Sequence, residues 1–90
     1  MKEKLDYEYE IFYLDCMRQS KPGVYARSAE IESKKNITAL LKDLAGRNPD
    51  AEKNLMALDN ILEDAYRYVE DHRGEGNLKT LLERWLDSLV

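Results

Sequence analysis

The sequence predicts an all-α fold: a single domain over residues 1–90, a bundle of four helices joined by short loops. Three observations predict it. Apolar residues recur at steps of three and four along most of the chain, the spacing that gathers side chains on one helical face. The two prolines and four glycines fall in three tight clusters, around Pro22-Gly23, Gly46 to Pro49 and Gly74 to Gly76, leaving long uninterrupted segments between them. A single short stretch alternates as a strand would, and a lone strand has no partner for its hydrogen-bond ladder.

That stretch lies in the first segment, residues 5–19. Tyr7, Tyr9, Ile11 and Tyr13 alternate with Glu8, Glu10 and Phe12, but Leu5, Tyr9, Phe12 and Cys16 share a helical face. The alternation fails on both sides, so the segment reads as a helix. Ser20-Lys21-Pro22-Gly23 breaks it, because proline disfavours a helical Lys21 and glycine supplies a turn. A long helix follows over residues 24–45. Ala26, Ala29, Ser33, Ile37, Leu40 and Leu44 form its inward face, with Ile31 and Leu41 at the edges.

Gly46 to Asp50 is the strongest boundary. Gly46 suits a left-handed helix end, Asn48 a cap, Pro49 the first helical position, and Asp50 and Glu52 the positive end of the helix dipole. The next helix is expected to run unbroken to about His72. Its stripe of Leu55, Leu58, Leu62, Ala65 and Val69 is the clearest in the chain, and the other segments are expected to pack around it. After Gly74 and Gly76, Asn77 caps a last helix over residues 78–89. Its apolar residues, Leu78, Leu81, Leu82, Trp85, Leu86, Leu89 and Val90, make a face wider than one neighbour needs. It sits in a groove between two helices or meets a partner.

The net charge of −4 is unevenly spread, with −3 over residues 1–15, +4 over 16–48 and −5 over 49–90. Opposite charges are expected to meet within the fold or across a dimer, or the basic middle meets an acidic partner. The single cysteine forbids an internal disulfide and suits a reducing compartment. Without an apolar run of membrane-spanning length or a secretory leader, the expected location is the cytoplasm.

Tyr25-Ala26-Arg27-Ser28-Ala29-Glu30-Ile31 with Ile37 and Leu40, and then Leu62-Glu63-Asp64-Ala65-Tyr66, resemble a family of short domains of unknown function. That family is found in gut Firmicutes and on their mobile elements. The chain departs from its pattern at Lys34 and Lys35, where the family carries acids. The resemblance implies a bacterial cytoplasmic protein and brings no catalytic residues with it.

Little in the chain speaks for catalysis. One histidine, His72, and one cysteine, Cys16, are too few for a metal site of that ligand type. Cys16 falls on an apolar face and reads as a buried thiol. His72 reads as an exposed residue in a helix's last turn. Asp59, Glu63 and Asp64 bring carboxylates together, but opposite the leucine stripe, where a solvated face is expected. No phosphate loop or serine nucleophile is present, so the chain is read as not an enzyme and without a cofactor.

Six tyrosines point instead to an interface, since a tyrosine ring is apolar and its hydroxyl tolerates water. The expected function is a small protein-interaction module that forms a homodimer or binds another protein. Tyr66, Tyr68, Trp85, Leu86 and Leu89 are its candidate contacts. The alternative is a DNA-binding regulator using the basic segment 18–47, with Arg27, Lys34, Lys35, Lys42 and Arg47 on phosphates.

Overall fold

The computed structural model describes residues 2–18 and 25–89, with side chains from residue 4 to 18 and from 28 onward. Among the described residues there are five helices and no strand: α1 (Lys2–Arg18), α2 (Tyr25–Gly46), α3 (Pro49–Met56), α4 (Ile61–Asp71) and α5 (Leu78–Ser88). The first segment is a helix, and its inward face is the expected one, with Leu5 and Cys16 buried and Tyr9 and Phe12 half-buried. The proline-glycine break at residues 20–23 lies outside the described residues.

Five helices replace the expected four because the segment thought continuous to His72 breaks at residues 57–60. Ala57 closes α3, its N–H donating to the carbonyls of Asn54 and Leu55, and the Leu58 N–H donates to Leu55. Asn60 is non-helical (φ −134°, ψ 81°) and starts α4. Aspartate and asparagine compete with helix by bonding locally, and Asp59-Asn60 puts two of them side by side. Two side chains of α1, one turn apart, hold the broken segment. The Lys4 ammonium donates to the Leu58 carbonyl, and Glu8 Oε1 accepts from the Leu62 N–H at 3.4 Å. The break lets both Ile61 and Leu62 turn inward beside Ala65.

The other boundaries follow the expected chemistry with one exception. Asn48 Oδ1 accepts from the N–H groups of Asp50 and Ala51, both at 3.2 Å, and Asn77 Oδ1 accepts from Thr80 at 2.8 Å. Gly46, however, is not left-handed. The chain leaves α2 through tight turns in which Arg47 and Asn48 donate to Leu44 and Ala45, and these need no positive φ. Gly74 (φ +91°), between α4 and α5, takes the left-handed conformation instead.

The hub is α2, which packs against all four other helices, rather than the segment with the clearest stripe. Its buried face is rotated from the expected one. Lys34, Ile37, Thr38, Leu41 and Ala45 are buried, Leu40 and Leu44 are half-buried, and Ala29 is exposed. A helix touched from several sides buries a face set by its neighbours, so simple apolarity misplaces its centre. Leu5, Ile37, Leu41, Leu55, Ile61, Leu82 and Trp85 meet in the core. The wide face of α5 is used inside the fold, where α5 packs on α2, α3 and α4. The molecule measures 42 × 30 × 18 Å. Its short axis is about two helix diameters, so each helix keeps a face toward the outside.

Candidate protein interface

The residues expected to form a contact surface lie mostly inside. Trp85 and Leu86 are 5% and 6% exposed and belong to the core. Tyr66, Tyr68 and Leu89 are half-buried and pack against the same cluster. Burial raises the Tyr66 hydroxyl above its ordinary pKa, and Glu70 and Glu30 add to the shift. Tyr68 stacks at a tilt on His72, with ring centres 4.1 Å apart. His72 is therefore half-buried rather than exposed. It closes α4, with Nδ1 2.7 Å from Glu75 Oε2.

The expected phosphate contacts are also largely spoken for. Lys34 is not on the surface: 2% of its side chain is accessible. Its ammonium lies 2.6 Å from Glu63 Oε2 and 3.4 Å from Glu30 Oε1, and 3.8 Å and 4.9 Å from the ring centres of Phe12 and Tyr66. Two carboxylates and two ring faces replace the water that a buried ammonium loses. Lys42 pairs with Asp6, Arg47 pairs with Asp43 at 3.2 Å, and Lys35 is exposed. The side chain of Arg27 lies outside the described residues. From the basic middle, Lys42 thus reaches the acidic first part at Asp6 and Lys34 the acidic last part at Glu63, while the pairs with Glu30 and Asp43 stay within the middle.

The exposed apolar surface is elsewhere. Six large hydrophobic side chains stand exposed among the described residues, and five are on α1: Tyr7, Ile11, Tyr13, Leu14 and Met17, each 42–64% accessible. Tyr7, Ile11 and Leu14 are spaced four and three apart and form one stripe, opposite the buried face of Leu5, Tyr9, Phe12 and Cys16. The helix is apolar on two sides, and the fold covers only one. The tyrosine count carried this signal, but only the direction of α1's packing tells Tyr7 and Tyr13 from the half-buried Tyr9, Tyr66 and Tyr68.

A cleft of about 390 Å³ runs beside this stripe, between α1 and the start of α4, with Tyr7 and Ile11 on its wall. Its carboxylates are Glu8, Asp15, Asp59 and Glu63, and its cations are Lys4 and Lys34. Both cations already have protein partners, in the Leu58 carbonyl and in Glu63 with Glu30. Glu8 reaches in from α1 to the N-terminus of α4, where Asn60 makes no side-chain cap. Glu8 Oε2 is buried without a hydrogen-bond partner. Burial raises the Glu8 carboxyl above its ordinary pKa, against the opposing pull of the Leu62 N–H and Lys4.

Asp59 and Glu63 both line the cleft, and Asp64 does not. Asp59 is in the turn, Glu63 is held by Lys34, and no group of three or more metal-type ligands forms among the described residues. Cys16 is buried on the inner side of α1, as expected for a packing thiol. No helix among the described residues is long and apolar enough to cross a membrane. Compared with protein-family models, with curated proteins and with solved structures, the chain matches none.

Proposed function

We propose that this chain is a small helical interaction module that docks a protein, a second copy or another chain, through the outer face of α1. The observation that carries this reading is the concentration of exposed apolar side chains on one element. Five of six are on α1, while Trp85 and Leu86, on the widest apolar helix of the sequence, are buried. Single exposed hydrophobics are ordinary, but a contiguous stripe on a small domain marks a contact. Tyrosine and methionine are among the residues enriched at such contacts. A cytoplasmic setting belongs to the same proposal, since a single cysteine offers no internal disulfide and suits a reducing compartment. DNA binding is the weaker reading, because Lys34 is buried on carboxylates and rings and Lys42 is paired with Asp6, which leaves Lys35 and Arg47 as the exposed candidates among the described side chains.

The test is site-specific photo-crosslinking in cells. Benzoylphenylalanine at Leu14 should form protein adducts, while the same group at the exposed Lys53 of α3 should not. No adduct from Leu14, or equal adducts from both positions, would remove α1 as the docking face.

A further inference from the structure

We infer that the occupant of the α1 face is a second copy of this chain, its α1 antiparallel to the first, with Arg18 of each copy over Tyr7 of the other. The inference rests on the reading of this face as an interface. It starts from the order of the stripe. Tyr7, Ile11, Leu14 and Arg18 are spaced four, three and four apart and share one helical face, and all four are exposed.

That spacing reads the same in both directions. A two-fold axis across α1 between residues 12 and 13 exchanges position 7 with 18 and position 11 with 14. Ile11 of one copy then meets Leu14 of the other, and each Tyr7 ring meets an Arg18 guanidinium. Apolar pairs lie at the centre and a cation over a ring at each end, a self-complementary surface of the kind a two-fold dimer requires. A parallel pair would instead set Arg18 against Arg18.

Charge assists at the ends of the pair: Arg18 approaches the cleft beside Tyr7, whose four carboxylates outnumber its two lysines. Along the flank the same axis sets Glu8 and Asp15 of the two copies side by side, and that repulsion weakens the pair. Size sets the strength. A helix of 17 residues is about 25 Å long and about 10 Å wide, so a single helix face covers far less than the roughly 800 Å² per partner of a standard interface. The dimer is accordingly weak and depends on concentration.

The deciding experiment mixes Tyr7→Cys and Arg18→Cys chains, each also carrying Cys16→Ala, and adds a short bismaleimide. The antiparallel pair brings 7 beside 18, while 7 and 7, or 18 and 18, stand about 16 Å apart along the axis. A cross-linked dimer should form in the mixture and not in either chain alone, and Ile11→Asp in both chains should abolish it with the circular dichroism unchanged. Links within the single-variant tubes, or none in the mixture, would overturn the inference. If the mixture gives no link while benzoylphenylalanine at Leu14 still captures a different protein, the second-copy assignment fails and the docking face stands.

Discussion

Lys34 shows how much one side chain can join in this fold. From α2 it reaches Glu63 of α4 and the Phe12 ring of α1, and so ties three helices. Removing a partner from a buried charge costs more than replacing the charge by an apolar chain of similar length. Glu63→Ala should therefore lower unfolding free energy by about 1–2 kcal/mol, a value discounted for the half-exposed carboxylate, while Lys34→Met stays within about 1 kcal/mol of the parent. Urea titrations of both variants check this; a Lys34→Met loss larger than that of Glu63→Ala would contradict it. Glu8 adds a pH dependence. Its carboxyl is raised above 4.5 by burial, so over the window starting there the folded chain binds more protons than the unfolded one. Its contribution is complete below 4.5 and is lost as pH rises through the folded value. The melting temperature of Glu8→Gln relative to the parent should thus climb between pH 4.5 and neutrality. A constant offset would show that Glu8 does not carry this linkage.

At the scale of elements, the three helices whose caps are described divide into two that start on their own chemistry, α3 and α5, and one that does not, α4. Asn48 and Asn77 bond their own helices, so Asn48→Ala and Asn77→Ala should each cost about 1 kcal/mol in thermal unfolding. Asn60 makes no such bond, and Asn60→Ala should change stability by less than about 0.5 kcal/mol. Equal losses at all three sites would contradict this division. The same contrast explains what was legible in the sequence. Asn48-Pro49 and Asn77 are local signals, and they placed their boundaries well. The break at residues 57–60 is held by Lys4 and Glu8, more than fifty positions away, and the leucine spacing runs across it undisturbed, so Asp59-Asn60 was its one local sign. Burial of Lys34 was equally hidden, since a lysine shows its charge in the sequence but not the carboxylates and rings that will surround it. The docking face followed the same rule. Tyr7, Ile11 and Leu14 were visible as apolar residues, yet which side of α1 faces out is decided by α2 and α4.

The whole molecule is two helices thick and built around α2, and among the described residues the exposed apolar side chains gather on the outer face of α1. Core and face should separate cleanly on substitution. Trp85→Ala should cost about 3–5 kcal/mol and leave the domain unfolded or nearly so, whereas Ile11→Asp should change stability by less than about 0.5 kcal/mol. Circular dichroism melts of the two variants check both. The measurement that bears most directly on self-association through α1 is the molar mass from light scattering over a concentration series, for the parent and for Ile11→Asp. The parent should rise from 10.5 kDa toward twice that value as concentration increases, and Ile11→Asp should remain at 10.5 kDa throughout. A parent that stays at 10.5 kDa at every concentration, or an Ile11→Asp chain that associates as the parent does, would contradict it.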